Sequence, residues 1–297
     1  MVGSDCPHEA VALERITSGV PGLDEVLGGG FVRGAIALVM GLPGTGKTTL
    51  ANQLCFAQAA QGGRAVYVTL LAEPSGGMLR NLETMAFFSR QAVNAGVFYV
   101  GGYKALRDEG LTGLLRLLHR IIRDERATFL VLDGLSSARS LSGSDIALKE
   151  FIVELQSLGA MTNCTTLLLA NLRAEDANDP EHTMVDGLLE LRLERGDRTH
   201  RTLEVIKLRG SDHLLGAHEY QISSAGCRVY PNAEAWLARR SDATPAFVVP
   251  TVSTGVEGLD AMVGGGLARS STAMFLGFAG SGKTSVALHF LDAGAQQ

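Results

Sequence analysis

The stretch AIALVMGLPGTGKTT, Ala35 to Thr49, decides the fold. Ala35–Met40 is a short apolar run that reads as a buried strand. It passes directly into Gly41-Leu-Pro43-Gly44-Thr45-Gly46-Lys47-Thr48, which satisfies G-x-x-x-x-G-K-[ST], and Thr48–Gln61 then reads as a helix. Strand, glycine-rich loop and helix in this order form the context a P-loop needs. Its glycines let consecutive backbone N–H groups turn inward around phosphates, and the helix N-terminus adds a dipole of the right sign. Lys47 is then the residue that reaches the β- and γ-phosphates, and Thr48 a ligand of Mg²⁺, with Pro43, Thr45 and Thr49 completing the cradle. No N-K-x-D guanine-reading sequence occurs, so the expected ligands are ATP and Mg²⁺ rather than GTP.

The same signature occurs twice. Ser18–Gly30 (SGVPGLDEVLGGG) leads into the first loop, and Thr254–Gly266 (TGVEGLDAMVGGG) leads into GFAGSGKTS at Gly277–Ser285. Gly19 pairs with Gly255 and Gly41 with Gly277, both at an offset of 236 residues (255 − 19 and 277 − 41). Only 13 residues (297 − 284) follow Thr284. The expected organisation is a complete nucleotide-binding domain over 1–240, a linker at 241–250, and the opening fragment of a second such domain at 251–297. That fragment has a lead-in, a strand, a P-loop and one helix. Gly277, Gly280, Ser281, Gly282, Lys283 and Thr284 are candidate phosphate contacts, but nothing there supplies the acid, the base or the distal cations of the first copy. Some 47 residues (297 − 250) of a parallel α/β sheet cannot bury a core alone. The tail is therefore expected to be disordered, to pack on the first domain, or to belong to a longer tandem protein.

Working outward from the first loop, apolar runs at Ala65–Thr69, Val97–Val100, Thr128–Leu132 and Thr165–Ala170 read as strands. Met78–Phe87, the Leu111–Ile122 series and the Leu148–Leu158 series have helical spacing. Such alternation implies βαβ units: an α/β fold with a mostly parallel twisted sheet and helices on both faces. Past residue 186 the pattern changes. Leu188–Arg195 and Thr199–Lys207 flank a Gly-Asp-Arg turn, and Glu219–Ser223 and Cys227–Tyr230 form a second short hairpin, giving an antiparallel C-terminal region. Residues 232–250, with Pro245 and Pro250, read as linker.

Three further residues carry candidate chemistry. Asp133 ends the apolar strand Phe129–Asp133, where a carboxylate can hold the magnesium shell. Glu73, the only acid just after Ala65–Thr69, is the candidate general base for the attacking water, the alternative being a helix cap with slow hydrolysis. Asn171, after Thr165–Ala170, is a candidate γ-phosphate sensor or an ordinary strand-end Asn.

Composition narrows the class. The chain has 297 residues, 46% apolar and 19% charged, with a net charge of −5, which disfavours a polyanion-binding surface. Cys6, Cys55, Cys164 and Cys227 are widely spaced and read as free thiols, and the seven histidines show no ligand spacing. The N-terminus lacks the basic start and apolar run of a secretory signal, and no apolar stretch approaches a membrane span, so a cytoplasmic protein is expected.

Together the lead-in S-G-V-P-G-L-D-x-x-L-G-G-G, the P-loop, Val205-Ile-Lys207-Leu-Arg209-Gly-Ser-Asp-His213 and the closing Tyr220–Pro231 resemble the KaiC-type ATPases of the RecA superfamily. The resemblance covers nearly all of 14–231 and restarts near 251. It implies a tandem protein whose six chains form a ring with ATP between neighbours, where Lys207 and Arg209 would reach the γ-phosphate of the adjacent chain. It also implies signalling partners, and an autokinase activity on Ser/Thr that would reside in a full second domain. One departure stands out: the family's two adjacent glutamates after the second strand are replaced by Leu71-Ala72, with Glu73 one residue later, closer to the Ala-Glu of RecA-like recombinases. Two other classes stay open, a RecA- or RadA-like DNA recombinase and a slow nucleotide-dependent assembly module. The recombinase is disfavoured because Gly134–Asp145 carries one basic residue, Arg139, and Leu172–Asp186 is dominated by acids that would repel phosphates.

Overall fold

The computed structural model describes residues 13–71, 75–171, 180–195, 199–240 and 250–295. Two compact units are present, Met1–Arg239 and Arg240–Gln297. In chain order the first holds β1 (Arg15–Ile16), α1 (Leu23–Val26), β2 (Phe31–Val32), β3 (Ile36–Gly41), α2 (Lys47–Ala60), β4 (Ala65–Thr69), α3 (Ser75–Leu82) and β5 (Val97–Gly101). There follow α4 (Tyr103–Glu125), β6 (Phe129–Asp133), α5 (Leu135–Leu141), α6 (Asp145–Thr162), β7 (Thr165–Ala170), α7 (Pro180–Met184), β8 (Gly187–Arg195), β9 (Thr199–Leu208), β10 (Ala217–Ser223), β11 (Gly226–Tyr230) and α8 (Ala233–Arg240).

Among the described residues nine strands make one sheet, ordered β11-β10-β9-β8-β3-β7-β6-β4-β5. The run from β8 to β5 is parallel. The two hairpins extend it antiparallel on the other side. β3 sits inside the sheet with parallel neighbours on both sides, so the P-loop leaves from a strand that cannot shift. Strand periodicity then divides the core. Val39, Tyr67, Val131 and Leu169 face Leu50, Leu54 and Phe56 of α2, whereas Leu38, Met40, Leu132 and Leu168 face Leu114 and Leu118 of α4 and Ile152 and Leu155 of α6. Buried on both faces, these strands read as unbroken apolar runs. Cys55, Cys164 and Cys227 are free and buried, and burial pushes the Cys164 and Cys227 thiols up to about 12. Among the described residues no helix is long and apolar enough to cross a membrane.

Three expectations need correction. The helix placed at Met78–Phe87 is α3, which ends at Leu82. Beyond it Ala86 N–H donates to the Ser224 carbonyl (2.7 Å), and the Phe87 and Phe88 rings pack 5.9 and 5.1 Å from Phe56, so tertiary contacts draw the chain out of helical register. The stretch read as linker from 232 opens with α8, capped where Asn232 Oδ1 accepts from Glu234 N (2.9 Å) and held by Trp236 Nε1 donating to the Glu25 carboxylate. The third correction concerns the second unit.

That unit has β12 (Thr251–Val252), α9 (Glu257–Met262), β13 (Leu267–Ala268) and α10 (Lys283–Ala295). Its lead-in repeats the central turn of the first copy. Asp24 Oδ1 accepts from Ser18 N and Asp260 Oδ1 from Thr254 N, both at 2.8 Å, and the β12–β13 register matches β1–β2. The expected strand before its P-loop does not form: residues 272–278 are non-strand, with Met274, Leu276 and Phe278 exposed. A strand needs edge partners, and the counterparts of β7 and β8 are not among the described residues of this unit.

The duplication provides an internal control for a stability prediction. Gly22 has φ +80°, and a Cβ there would lie 2.0 Å from the Val229 carbonyl oxygen of β11. Its counterpart Gly258 has nothing within 4 Å. Gly22→Ala should destabilise the first unit by about 2–3 kcal/mol in denaturant unfolding, with Gly258→Ala close to neutral.

Candidate functional site

β3 delivers Gly41 to the carboxyl edge of the sheet, where Met40 is level with Ala170 of β7 and Gly41 with Leu191 of β8. The loop turns at Gly44 and Gly46 (φ +85° and +103°), and Gly46 precedes α2 as its N-cap. Gly46 is also a close-approach position, because a Cβ would fall 2.3 Å from Ile222 Cδ1 of β10. Lys47 Nζ donates to the carbonyls of Gly41 (2.6 Å) and Leu42 (3.1 Å). Burial lowers its pKa, with Asp133 pulling the other way. Pro43, Thr45 and Thr49 lie in the same loop and first helical turn. A cavity of about 170 Å³ opens beside the loop between Gly41, Leu42, Thr45, Glu190 and Arg192, where the buried Glu190 carboxylate pairs with Arg192 at 2.6 Å.

β6 brings Asp133 to the same edge, across β7 from the loop. Thr48 Oγ1 lies 3.5 Å from Asp133 Oδ2, and Tyr67 O–H donates to that same oxygen at 2.5 Å. Burial raises the Asp133 pKa, opposed by the Tyr67 hydrogen bond, the Lys47 charge and Thr48. One hydroxyl and one carboxylate, converging beside a lysine on a phosphate cradle, suit Mg²⁺. This hard cation takes oxygen ligands and completes its shell with water and phosphate oxygens rather than with a full protein cage.

The other candidates distribute unevenly. Asn171 is exposed at the end of β7, its N–H donating to Ser136 Oγ (3.2 Å), so it too lies on the carboxyl edge. Glu73 lies outside the described residues, as do residues 172–179 of the acidic loop. Lys207 and Arg209 are at the opposite edge. Lys207 pairs with Leu188, which is level with Leu38, and its Nζ donates to Thr183 O (3.1 Å) and His182 O (3.4 Å). Arg209 pairs with Asp186 at 3.4 Å, and Asp186 Oδ2 accepts from Ile36 N at 3.1 Å, at the very start of β3. Arg209 is thus held the length of Ile36–Gly41, roughly 16 Å of strand, from its own chain's P-loop, and Lys207, although level with Leu38, is engaged by the His182 and Thr183 carbonyls. In the second unit Gly280 and Gly282 have positive φ (+81° and +84°), and Lys283 Nζ donates to the Gly277 and Phe278 carbonyls, both at 2.7 Å. Gly277 and Ser281 stand in that same loop and Thr284 in the first turn of α10, and among the described residues of this unit there is no counterpart of β6 to bring an acid like Asp133.

Several residues that shape the site escaped the sequence reading. Tyr220 O–H hydrogen-bonds the Thr45 carbonyl, tying the loop to β10. Gln53 accepts from Cys227 N (2.6 Å) and donates to Cys227 O (3.2 Å), clasping α2 to β11 as a missing strand neighbour would. Asn52 donates to the Thr48 carbonyl and accepts from Tyr99 O–H, each at 2.8 Å. The available signal was two adjacent amides inside the apolar stretch of α2, because buried amides need partners.

Comparison with known proteins follows this geometry. A family model described as "ATPase: KaiC" matches residues 16–234 and 252–297. The circadian clock oscillator protein KaiC of Synechococcus elongatus is 27% identical over 298 residues, covering 96% of this chain and 56% of its own length. The protein of the same name from Thermosynechococcus vestitus is 26% identical over 307 residues, 99% and 58% respectively. The chain thus spans a little over half the length of these curated relatives. The crystal structure of a KaiC-like protein from the hyperthermophilic archaeon Pyrococcus horikoshii matches with a TM-score of 0.65 at 25% identity, over 74% of this chain and all of that one. The mostly parallel sheet with its P-loop at the carboxyl edge is the RecA-type architecture expected from the motifs. With both lead-ins and both loops inside the matched residues, the chain belongs to the KaiC family of ATPases.

Proposed function

We propose that this chain is a Mg²⁺-dependent ATPase that works as a ring, with ATP held between neighbouring chains. The observation that carries the reading is the split of charged groups between the two edges of one sheet. Lys47, Thr48 and Asp133 gather at the carboxyl edge, whereas Arg209 is tied through Asp186 to Ile36 at the other and Lys207 is held by the His182 and Thr183 carbonyls. Phosphoryl transfer is accelerated by a second set of cations supplied in trans, and a second chain can bring Lys207 and Arg209 to a phosphate that their own chain cannot.

In this reading the loop N–H groups and Lys47 bind the β- and γ-phosphates, and Lys207 and Arg209 of a neighbour neutralise charge on the transferred group. Mg²⁺, held by Thr48 and Asp133, supplies further neutralisation between the phosphates. Glu73 orients the attacking water, and Asn171 reports on the γ-phosphate. The loop at Gly277–Thr284 holds phosphate at most. Residues 241–250 connect the ATPase domain to a second domain of the same kind, which in a longer tandem protein would host Ser/Thr autokinase activity. The role is regulatory or signalling, through protein partners, as its likeness to clock oscillator proteins suggests, and in the cytoplasm. A slow assembly module is the second reading, favoured by Leu71-Ala72 standing where the family has glutamates.

Phosphate release separates the two readings. Glu73→Gln should lower it by about 10²-fold or more, and an unchanged rate removes Glu73 as the base. Arg209→Ala should lower release by roughly 10³-fold while ATP binding by the isolated chain persists. Native mass spectrometry should show nucleotide-dependent rings, and a strict monomer under saturating ATP rejects the assembly.

Asp133→Asn tests the metal side by pH. A carboxyl whose folded pKa is raised incurs no penalty below its unfolded pKa. The penalty grows as pH rises and is complete above the folded pKa. The nucleotide-free variant should therefore melt no lower than wild type at neutral pH, with any gain vanishing in acid below the ordinary carboxylate range. Its Mg²⁺-dependent ATP binding should be lost.

A further inference from the structure

We infer that Tyr67 is a positioning residue for the metal side of the site: its buried hydroxyl fixes the orientation of the Asp133 carboxylate. The inference rests on the reading of Thr48 and Asp133 as the Mg²⁺ ligands. Tyr67 lies in the middle of β4, the strand beside β6, and is fully buried. It cannot touch a nucleotide, so any effect on one passes through another residue.

Packing alone does not call for a tyrosine here. A phenylalanine would fill nearly the same volume in the cluster between the sheet and α2, whereas a buried hydroxyl is costly unless it finds an acceptor. The acceptor is Asp133 Oδ2 at 2.5 Å, the oxygen that Thr48 Oγ1 also approaches. Two donors on one oxygen, one from the sheet and one from α2, stop the carboxylate from rotating. Tyr99, level with Tyr67 on the neighbouring strand β5, serves the other ligand, since its O–H donates to Asn52, which in turn holds the Thr48 carbonyl. The two rings lie 5.7 Å apart. One cross-strand tyrosine pair therefore reaches both elements that carry the metal ligands, Tyr67 directly and Tyr99 through an amide. Partners of this kind tune metal affinity without touching the metal.

The test uses the full chain and a methylanthraniloyl-labelled ATP, binding followed by fluorescence with Mg²⁺ titrated and, separately, in excess EDTA. Tyr67→Phe should raise the Mg²⁺ concentration for half-maximal enhancement of binding by roughly 10-fold, leaving affinity in EDTA within about twofold of wild type. An unchanged Mg²⁺ requirement overturns the inference. Equal loss in EDTA also overturns it, because that result assigns Tyr67 to packing. Wild type without any Mg²⁺ dependence rejects the metal-site reading itself, an outcome distinct from failure of Tyr67 alone. Tyr67→Leu, which disturbs packing as well, should add a loss in EDTA to the shifted Mg²⁺ requirement.

Discussion

The site depends on β3 being gripped from both sides. Five consecutive residues, Ile36–Met40, pair with β7, and Ala37–Gly41 pair with β8, so neither end of the strand is free to slide or splay. Only then does a glycine loop at its end present N–H groups in a constant direction, and only then does Asp133, two strands away, arrive at the height of Thr48. The second unit has nearly the same loop sequence without such a grip. Its residues 272–278 stay out of strand conformation, and Met274 and Leu276, the counterparts of the buried Leu38 and Met40, are exposed. The turn itself still forms there, with Gly280 and Gly282 at positive φ and Lys283 bonded to the Gly277 and Phe278 carbonyls, so what the sheet adds is the placement of the loop against Asp133.

That dependence explains which parts were legible in the sequence. β3, α2, β6 and Asp133 follow from local periodicity and spacing, and the switch to antiparallel hairpins past residue 186 was visible in the strands around Gly-Asp-Arg. What stayed hidden involves partners far apart along the chain. Tyr67 meets Asp133 across 66 residues, Gln53 meets Cys227 across 174, and Tyr220 meets Thr45 across 175. No window of sequence contains both members of such a pair. The early end of α3 has the same origin, since the bond from Ala86 to Ser224 overrides a pattern that is helical on its own.

The duplication also sorts glycines by what they serve. Gly30 and Gly266 would each press a Cβ against a carbonyl of their own lead-in strand, at 2.2 Å from Ile16 O and 2.4 Å from Val252 O, so the turn itself demands glycine in both copies. Gly46 is closed by Ile222, but Gly282 has nothing within 4 Å. The first kind belongs to the local turn, and the second to the β10–β11 hairpin, which has no counterpart among the described residues of the second unit. Identical letters in a motif therefore carry unequal physical obligations.

Asp186 ties Arg209 to the start of β3, at the edge opposite the P-loop. Its backbone N–H donates to Ile36 O (2.9 Å), its carboxylate accepts from Ile36 N, and the same carboxylate holds Arg209. A load on the Arg209 guanidinium is thereby borne by the first residue of β3, whose last residue opens the P-loop. Laddered on both flanks, the strand behaves as a strut rather than a spring. Because every residue of that strand is bonded to β7 or β8, a tug at the guanidinium end is spread over the parallel sheet before it reaches the phosphate-binding end.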